Sequence, residues 1–178
     1  MPMYHNGNRE LQGLFGSTAL ADRLEQRLRH SEFTEDDKAF IESLEFFFLA
    51  TATPIGQPDC SFKGGPPGFA RVIAPNLLVW PDYDGNGMFK SLGNIAINPS
   101  VGLLFIRMGE APKRLRANGT AQISLDDPLL PEFPGAQAII RFTAVDIFPN
   151  CPRYIPDPAA AKASPYTPHA DEAPVEPK

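Results

Sequence analysis

Two stretches of this 178-residue chain carry side chains suited to holding an anion. The first is Lys90 and Ser91. They follow the loop Asp82-Tyr83-Asp84-Gly85-Asn86-Gly87 and open a short helix expected over about Met88 to Ile97. A helix N-terminus offers unpaired N–H groups and a partial positive charge. Lys90 adds a full charge there, and Ser91 a hydroxyl donor. A solvated lysine at a helix start accounts for the same pattern. The loop also matches the start of a calcium EF-hand, with Asp or Asn at positions 1, 3 and 5 and Gly at 6. Position 12 is then Gly93 where a bidentate Glu is needed, and a strand rather than a helix precedes the loop. The second stretch is Lys113, Arg114 and Arg116, where a strand should begin. Alternation puts Arg114 and Arg116 on one face. They either meet an anion or acids, or guard an exposed sheet edge with charge.

Other chemistries lack their residues. His5, His30 and His169 are scattered, and no pair has metal-ligand spacing. There is no G-x-S-x-G and no Walker loop. Cys60 and Cys151 form no CxxC, so free thiols in a reducing, cytoplasmic setting are expected. Cys151 reads as a structural residue at a strand end rather than a reactive thiol. The start, MPMYHNGNRELQ, is too polar for a signal peptide. The longest apolar run, Phe46 to Ala50, is far short of a membrane span. A net charge of −5 argues against nucleic-acid and membrane-surface binding. What remains looks like a site that holds an anionic, aromatic cofactor, which would do the chemistry itself.

The elements that must position these residues are legible from pattern and punctuation. Twenty prolines exclude a helical bundle, while 43% hydrophobic residues and 13 phenylalanines exclude a disordered chain. Ser17 is a candidate N-cap for a helix with an apolar stripe at Leu20, Leu24 and Leu28. Thr34 caps a second helix, with Asp37 at the capping-box position. Strands are expected over Phe46–Ala52, Asp59–Lys63, Phe69–Ile73, Leu77–Trp80, Val101–Arg107, Leu115–Ser124 and Gln137–Phe148. The stiff loop Gly64-Gly65-Pro66-Pro67-Gly68 separates the second and third, Pro81 to Gly87 reads as loop, and Asn98-Pro99 stops the inserted helix. Connections this short exclude βαβ crossovers, so the six or seven strands make a mainly antiparallel sheet that closes into a small barrel. Eight of the prolines lie in the last 30 residues. That tail reads as extended, with its first part, through Tyr154 and Ile155, lying against the barrel or a partner subunit.

With the elements in place, three motifs resemble one family. They are Phe47-Phe48-Leu49-Ala50-Thr51-Ala52 with Gly56 to Gly65, Trp80 to Ile95 ending at Asn98-Pro99, and Arg114-Leu115-Arg116-Ala117-Asn118-Gly119. Together they resemble the pyridoxamine 5′-phosphate oxidase-like flavin-binding split barrels, over roughly Phe46 to Tyr154. The resemblance implies a mainly β fold, a six-stranded antiparallel split β-barrel of Greek-key type, with two N-terminal helices and one short inserted helix. It divides the chain into a helical arm (1–33), an FMN-binding barrel (34–155) and a proline-rich tail (156–178). It implies a cytoplasmic homodimer with FMN between the subunits and a small-molecule substrate, and an oxidoreductase working through the flavin. By position, Ser61, Phe62, Lys63 and Gly64 would line the ring, with Lys63 stabilising charge on it. Trp80 and Pro81 would touch flavin at a strand end. Asn86 of the loop would also bind the cofactor, Lys90 and Ser91 would bind the phosphate, and Arg114 stands where the oxidases have a Gln near the flavin. Ser61 replaces an Arg of the oxidases, and their C-terminal Trp-containing substrate motif is absent. The same fold also implies alternatives: a flavin-storage module, or a barrel using deazaflavin or haem.

Overall fold

The computed structural model describes residues 2–109 and 111–159. The elements run α1 (Asn6–Leu14), α2 (Thr18–Leu28), α3 (Glu35–Glu42), β1 (Phe46–Ala52), β2 (Pro58–Gly64), β3 (Arg71–Ala74), β4 (Leu77–Tyr83), α4 (Lys90–Ile97), β5 (Ser100–Arg107), β6 (Lys113–Ser124) and β7 (Ala136–Asn150). A single 3-10 turn, Leu130–Glu132, interrupts the β6–β7 connection. All seven strands form one antiparallel sheet in the order β2-β1-β5-β6-β7-β4-β3. Among the described residues no helix is long and apolar enough to cross a membrane.

The sheet is rolled. Three strands, β5, β6 and β7, separate β1 from β4. At about 4.8 Å per strand a flat sheet would hold β1 and β4 roughly 19 Å apart. Yet the rings of Phe47 on β1 and Trp80 on β4 meet edge-on at 5.2 Å. Phe69 at 5.8 Å and Phe105 at 5.3 Å complete this aromatic centre around Phe47. Leu49, Leu103, Leu115, Ala117 and Ile147 alternate into the same core. This is the split-barrel architecture that the resemblance implied, mainly β with helices outside.

Alternation sends a second set outward. Phe62, Phe48, Leu104, Arg116 and Phe148 lie side by side across five strands. Phe62 is 61% exposed at the β2 end of this row and stacks on Phe46 at 5.4 Å. A half-exposed apolar band interrupted by one arginine therefore runs over the outside of the sheet.

Several expectations need correcting. Among the described residues there are three N-terminal helices rather than two: α1 is polar and buries none of its residues, so its composition carries no core-facing stripe. Among the described residues the seven strands read from the pattern all form, one more than the six the resemblance implied, and the short β3 pairs there only with β4. Pro81 to Tyr83 continue β4 rather than forming loop, with Pro81 opposite Ile139. The last β3 partner of β4 is Val79, so beyond it β4 is an edge where the missing N–H of proline costs nothing. The reading of Lys113 to Arg116 as a charged sheet edge fails, because β6 lies inside the sheet between β5 and β7. Lys113 instead covers the Phe40 ring at 4.5 Å. The first part of the C-terminal segment folds back on the sheet: Ile155 is buried, and Arg114 donates to the Cys151 carbonyl. The rest of the expected tail, from residue 160, lies outside the described residues.

Candidate functional site

The anion-holding candidate forms around the start of α4. This helix places polar side chains at Ser91, Asn94 and Asn98, spaced i, i+3, i+7 on one face. Asn94 donates to the Thr51 hydroxyl at 2.9 Å, and Asn98 to the Thr53 carbonyl at 3.4 Å. These bonds pin α4 to β1. Ser91 is buried, with its hydroxyl 3.0 Å from that of Ser61 on β2. Ser61 shares its strand face with Asp59 and Lys63, and the face turns toward α4 because Cys60 and Phe62 take the outward positions.

The approach to the helix is strained. Gly87 has φ 71° and Phe89, the N-cap, has φ 48°. A bulky residue in this left-handed region costs of order 1–3 kcal/mol and persists only where its surroundings enforce it. Asn86 supports the turn by accepting the Met88 N–H at 3.0 Å. No side chain caps α4, so its first N–H groups stay open to an outside acceptor.

Together these elements enclose a groove of about 440 Å³. Ser61, Phe62, Lys63, Asn86, Lys90 and Ser91 all line it. Gly64 and Pro81 line a smaller hollow of about 220 Å³ that shares Phe62, Lys63 and Asp82 with it. The groove also carries Asp59, Asp82 and Asp84, which sequence reasoning did not select as binding residues, and Gln137 donates to Asp82 at 3.1 Å. Among the described residues no group of three His, Cys, Asp or Glu side chains is placed to hold a metal ion.

Two expected site residues lie elsewhere. Trp80 is fully buried in the aromatic centre, so its indole faces core rather than ligand. Arg114 is on β6 opposite Asn150 and borders neither hollow. Arg114 and Arg116 do share the outward face, as alternation requires. Cys60 and Cys151 are both exposed free thiols.

A rolled antiparallel sheet with a serine-and-lysine groove at its inserted helix defines a split-barrel protein. The sequence model for pyridoxamine 5′-phosphate oxidase matches residues 33–165, and the chain belongs to that family. A search of curated protein sequences finds no match. Among solved structures, the Group A Streptococcus protein HupZ is similar at TM-score 0.52 and 19% identity, over 66% of this chain and 93% of that one. A Lactobacillus delbrueckii protein described as a pyridoxamine 5′-phosphate oxidase is similar at TM-score 0.53 and 20% identity, over 67% of this chain and 95% of that one. At these identities the likeness establishes the fold.

Proposed function

We propose that the chain is an FMN-binding oxidoreductase acting as a homodimer on a small molecule. The observation that carries this is the Ser61–Ser91 hydroxyl pair beside Lys90, at a helix start that no side chain caps. Charged and hydroxyl donors with open backbone N–H groups are the donor set a phosphate monoester requires. Asp59, Asp82 and Asp84 would repel a dianion along the rest of the groove, which leaves the α4 start as the phosphate end. Phe62 and Lys63 supply an aromatic wall and a cation for the ring end, so the residues fit FMN. Bound FMN supplies hydride and electron transfer. The protein's residues bind the phosphate, orient the ring, and hold positive charge from Lys63 near it.

The homodimer rests on the outward band. The apolar row Phe62, Phe48 and Leu104 stands on the edge half of the sheet, beside the partly open groove. A second copy on this face would bury the band and close the groove. The test is the absorbance of the purified protein, mass spectrometry of the released ligand, and sedimentation with and without FMN. Yellow protein with tight FMN binding and FMN-strengthened dimers supports the reading. Colourless protein that takes up no FMN at micromolar concentration overturns it. Bound FMN that no reduced nicotinamide can reduce would reassign the protein to flavin holding.

A further inference from the structure

A larger hollow, about 680 Å³, lies between α2 and the β6–β7 pair. This is within the size range of small-molecule sites, which is about 300–1,000 Å³. Helix α2 bridges it. A surface helix ordinarily buries its apolar stripe against the core, but α2 buries only Ala21. Leu24 and Leu28 remain 43% and 37% exposed and line the hollow. The C-terminal end of α2 is held by polar contacts instead. Arg29 pairs with Asp146 at 2.5 Å and with Glu25 at 3.2 Å. The backbone of His30 exchanges two hydrogen bonds with Ile147, at 3.0 and 2.8 Å. Tyr4 closes the near side by donating to the Ala21 carbonyl at 3.3 Å.

These contacts engage every charge of the lining but one. Glu25, Arg29 and Asp146 satisfy each other, whereas Arg116 has no ion pair or side-chain hydrogen bond among the described residues. It stands on β6 between Leu104 and Phe148 in the outward row. Arg116 is exposed, and its guanidinium is a rigid fork of donors beside apolar neighbours, a geometry that matches a carboxylate bidentately.

We infer that this hollow binds a small aromatic or branched carboxylic acid, its carboxylate on Arg116 and its apolar body between Leu24, Leu28 and Phe148. The site shares no residue with the α4 groove, but Arg116 stands beside Leu104 in the outward row, so the inference rests on a dimer contact that stops at Leu104. Cys151 lines this hollow and Cys60 the groove, which gives each site its own reporter thiol.

The experiment is calorimetric titration of the full chain with naphthalene-2-carboxylate and with neutral 2-naphthamide, alongside iodoacetamide labelling read by mass spectrometry. The carboxylate should bind at least tenfold tighter than the amide and slow alkylation of Cys151 but not of Cys60. Arg116→Met should abolish the preference, while Lys90→Ala leaves it intact. Equal binding of the two probes, an unchanged Cys151 rate, or a preference that survives Arg116→Met overturns the inference. Should Arg116→Met fail to fold, Arg116→Lys and the wild-type comparison decide by the same outcomes.

Discussion

Lys90 is the residue at which the phosphate assignment can be tested with least ambiguity. Ser91 is a poorer target, because it is buried and its hydroxyl bonds Ser61, so its loss would disturb the fold as well as any ligand. Lys90 is exposed and opens α4, so Lys90→Ala removes a charge and leaves the scaffold. A hydrogen bond to a charged group contributes about 1.5–3 kcal/mol when shielded from water. For an exposed ammonium the low end applies, and about 1.4 kcal/mol corresponds to tenfold in affinity. FMN binding should therefore weaken roughly tenfold, while riboflavin, which has no phosphate, changes by less than about twofold. Quenching of flavin fluorescence during titration measures both constants. Salt adds a second readout, since the Debye length shrinks from about 30 Å at 0.01 M to about 3 Å at 1 M. Wild-type affinity for FMN should fall over this range more steeply than that of the variant. Equal losses for FMN and riboflavin, or an unchanged salt slope, would refute the phosphate role of Lys90.

Three other outcomes follow from the scaffold. Asp127, 1% exposed at its side chain, takes two bonds from Arg141, at 2.5 and 2.9 Å, which hold its carboxyl below the usual range. A lowered pKa contributes stability in full above the ordinary carboxylate pKa near 4, and that stability is lost as pH falls through the lowered value. Asp127→Asn should cost about 2–3 kcal/mol at pH 7 and progressively less below about pH 4, read by urea melts across pH. Gly119 sits at the bulge between β6 and β7, where an added Cβ would meet the Thr143 carbonyl and, at 3.0 Å, the Phe142 ring. Gly119→Ala should therefore lower stability by on the order of 3 kcal/mol in the same assay. A chain ending at Asp157 should melt as the wild type does, whereas one ending at Phe148 should melt lower, because it loses the Leu115–Pro149 and Arg114–Asn150 pairings and buried Ile155.

Local signals carried most of the fold. The Thr34–Asp37 capping box forms as written, with Asp37 accepting the Thr34 N–H at 3.0 Å and donating its own to the Thr34 hydroxyl at 3.1 Å. Phe46–Ala52 is a strand because its apolar run matches one side of a core, and the alternation in β6 sends Arg114 and Arg116 outward. What stayed hidden depended on distant parts of the chain. Residues 78 to 82 of β4 are buried on both faces. Alternation therefore cannot tell whether Trp80 turns to ligand or to core, and only the roll that brings Phe47 against it decides. The Pro81 continuation was equally invisible, since a proline is tolerated there only because β3 has already ended.

The groove follows the same logic at a larger scale. Its residue types were readable because serine, lysine and glycine at a helix start have a local chemical meaning. Its assembly was not, because Ser61 and Ser91 are brought together by α4 docking on β1 through Asn94 and Thr51, 43 residues apart in sequence. Ile95 and Leu92 anchor α4 on the core, but the bonds that set its register against β1 are polar, and a hydrophobic pattern gives no sign of them. The acids Asp59 and Asp82 arrive by the same route, one from β2 and one from the extended end of β4, and they narrow where a phosphate can sit. A motif read along the chain names the donors. The fold determines which acceptors stand beside them, and under the proposed reading that balance would confine an anion to the first turn of α4.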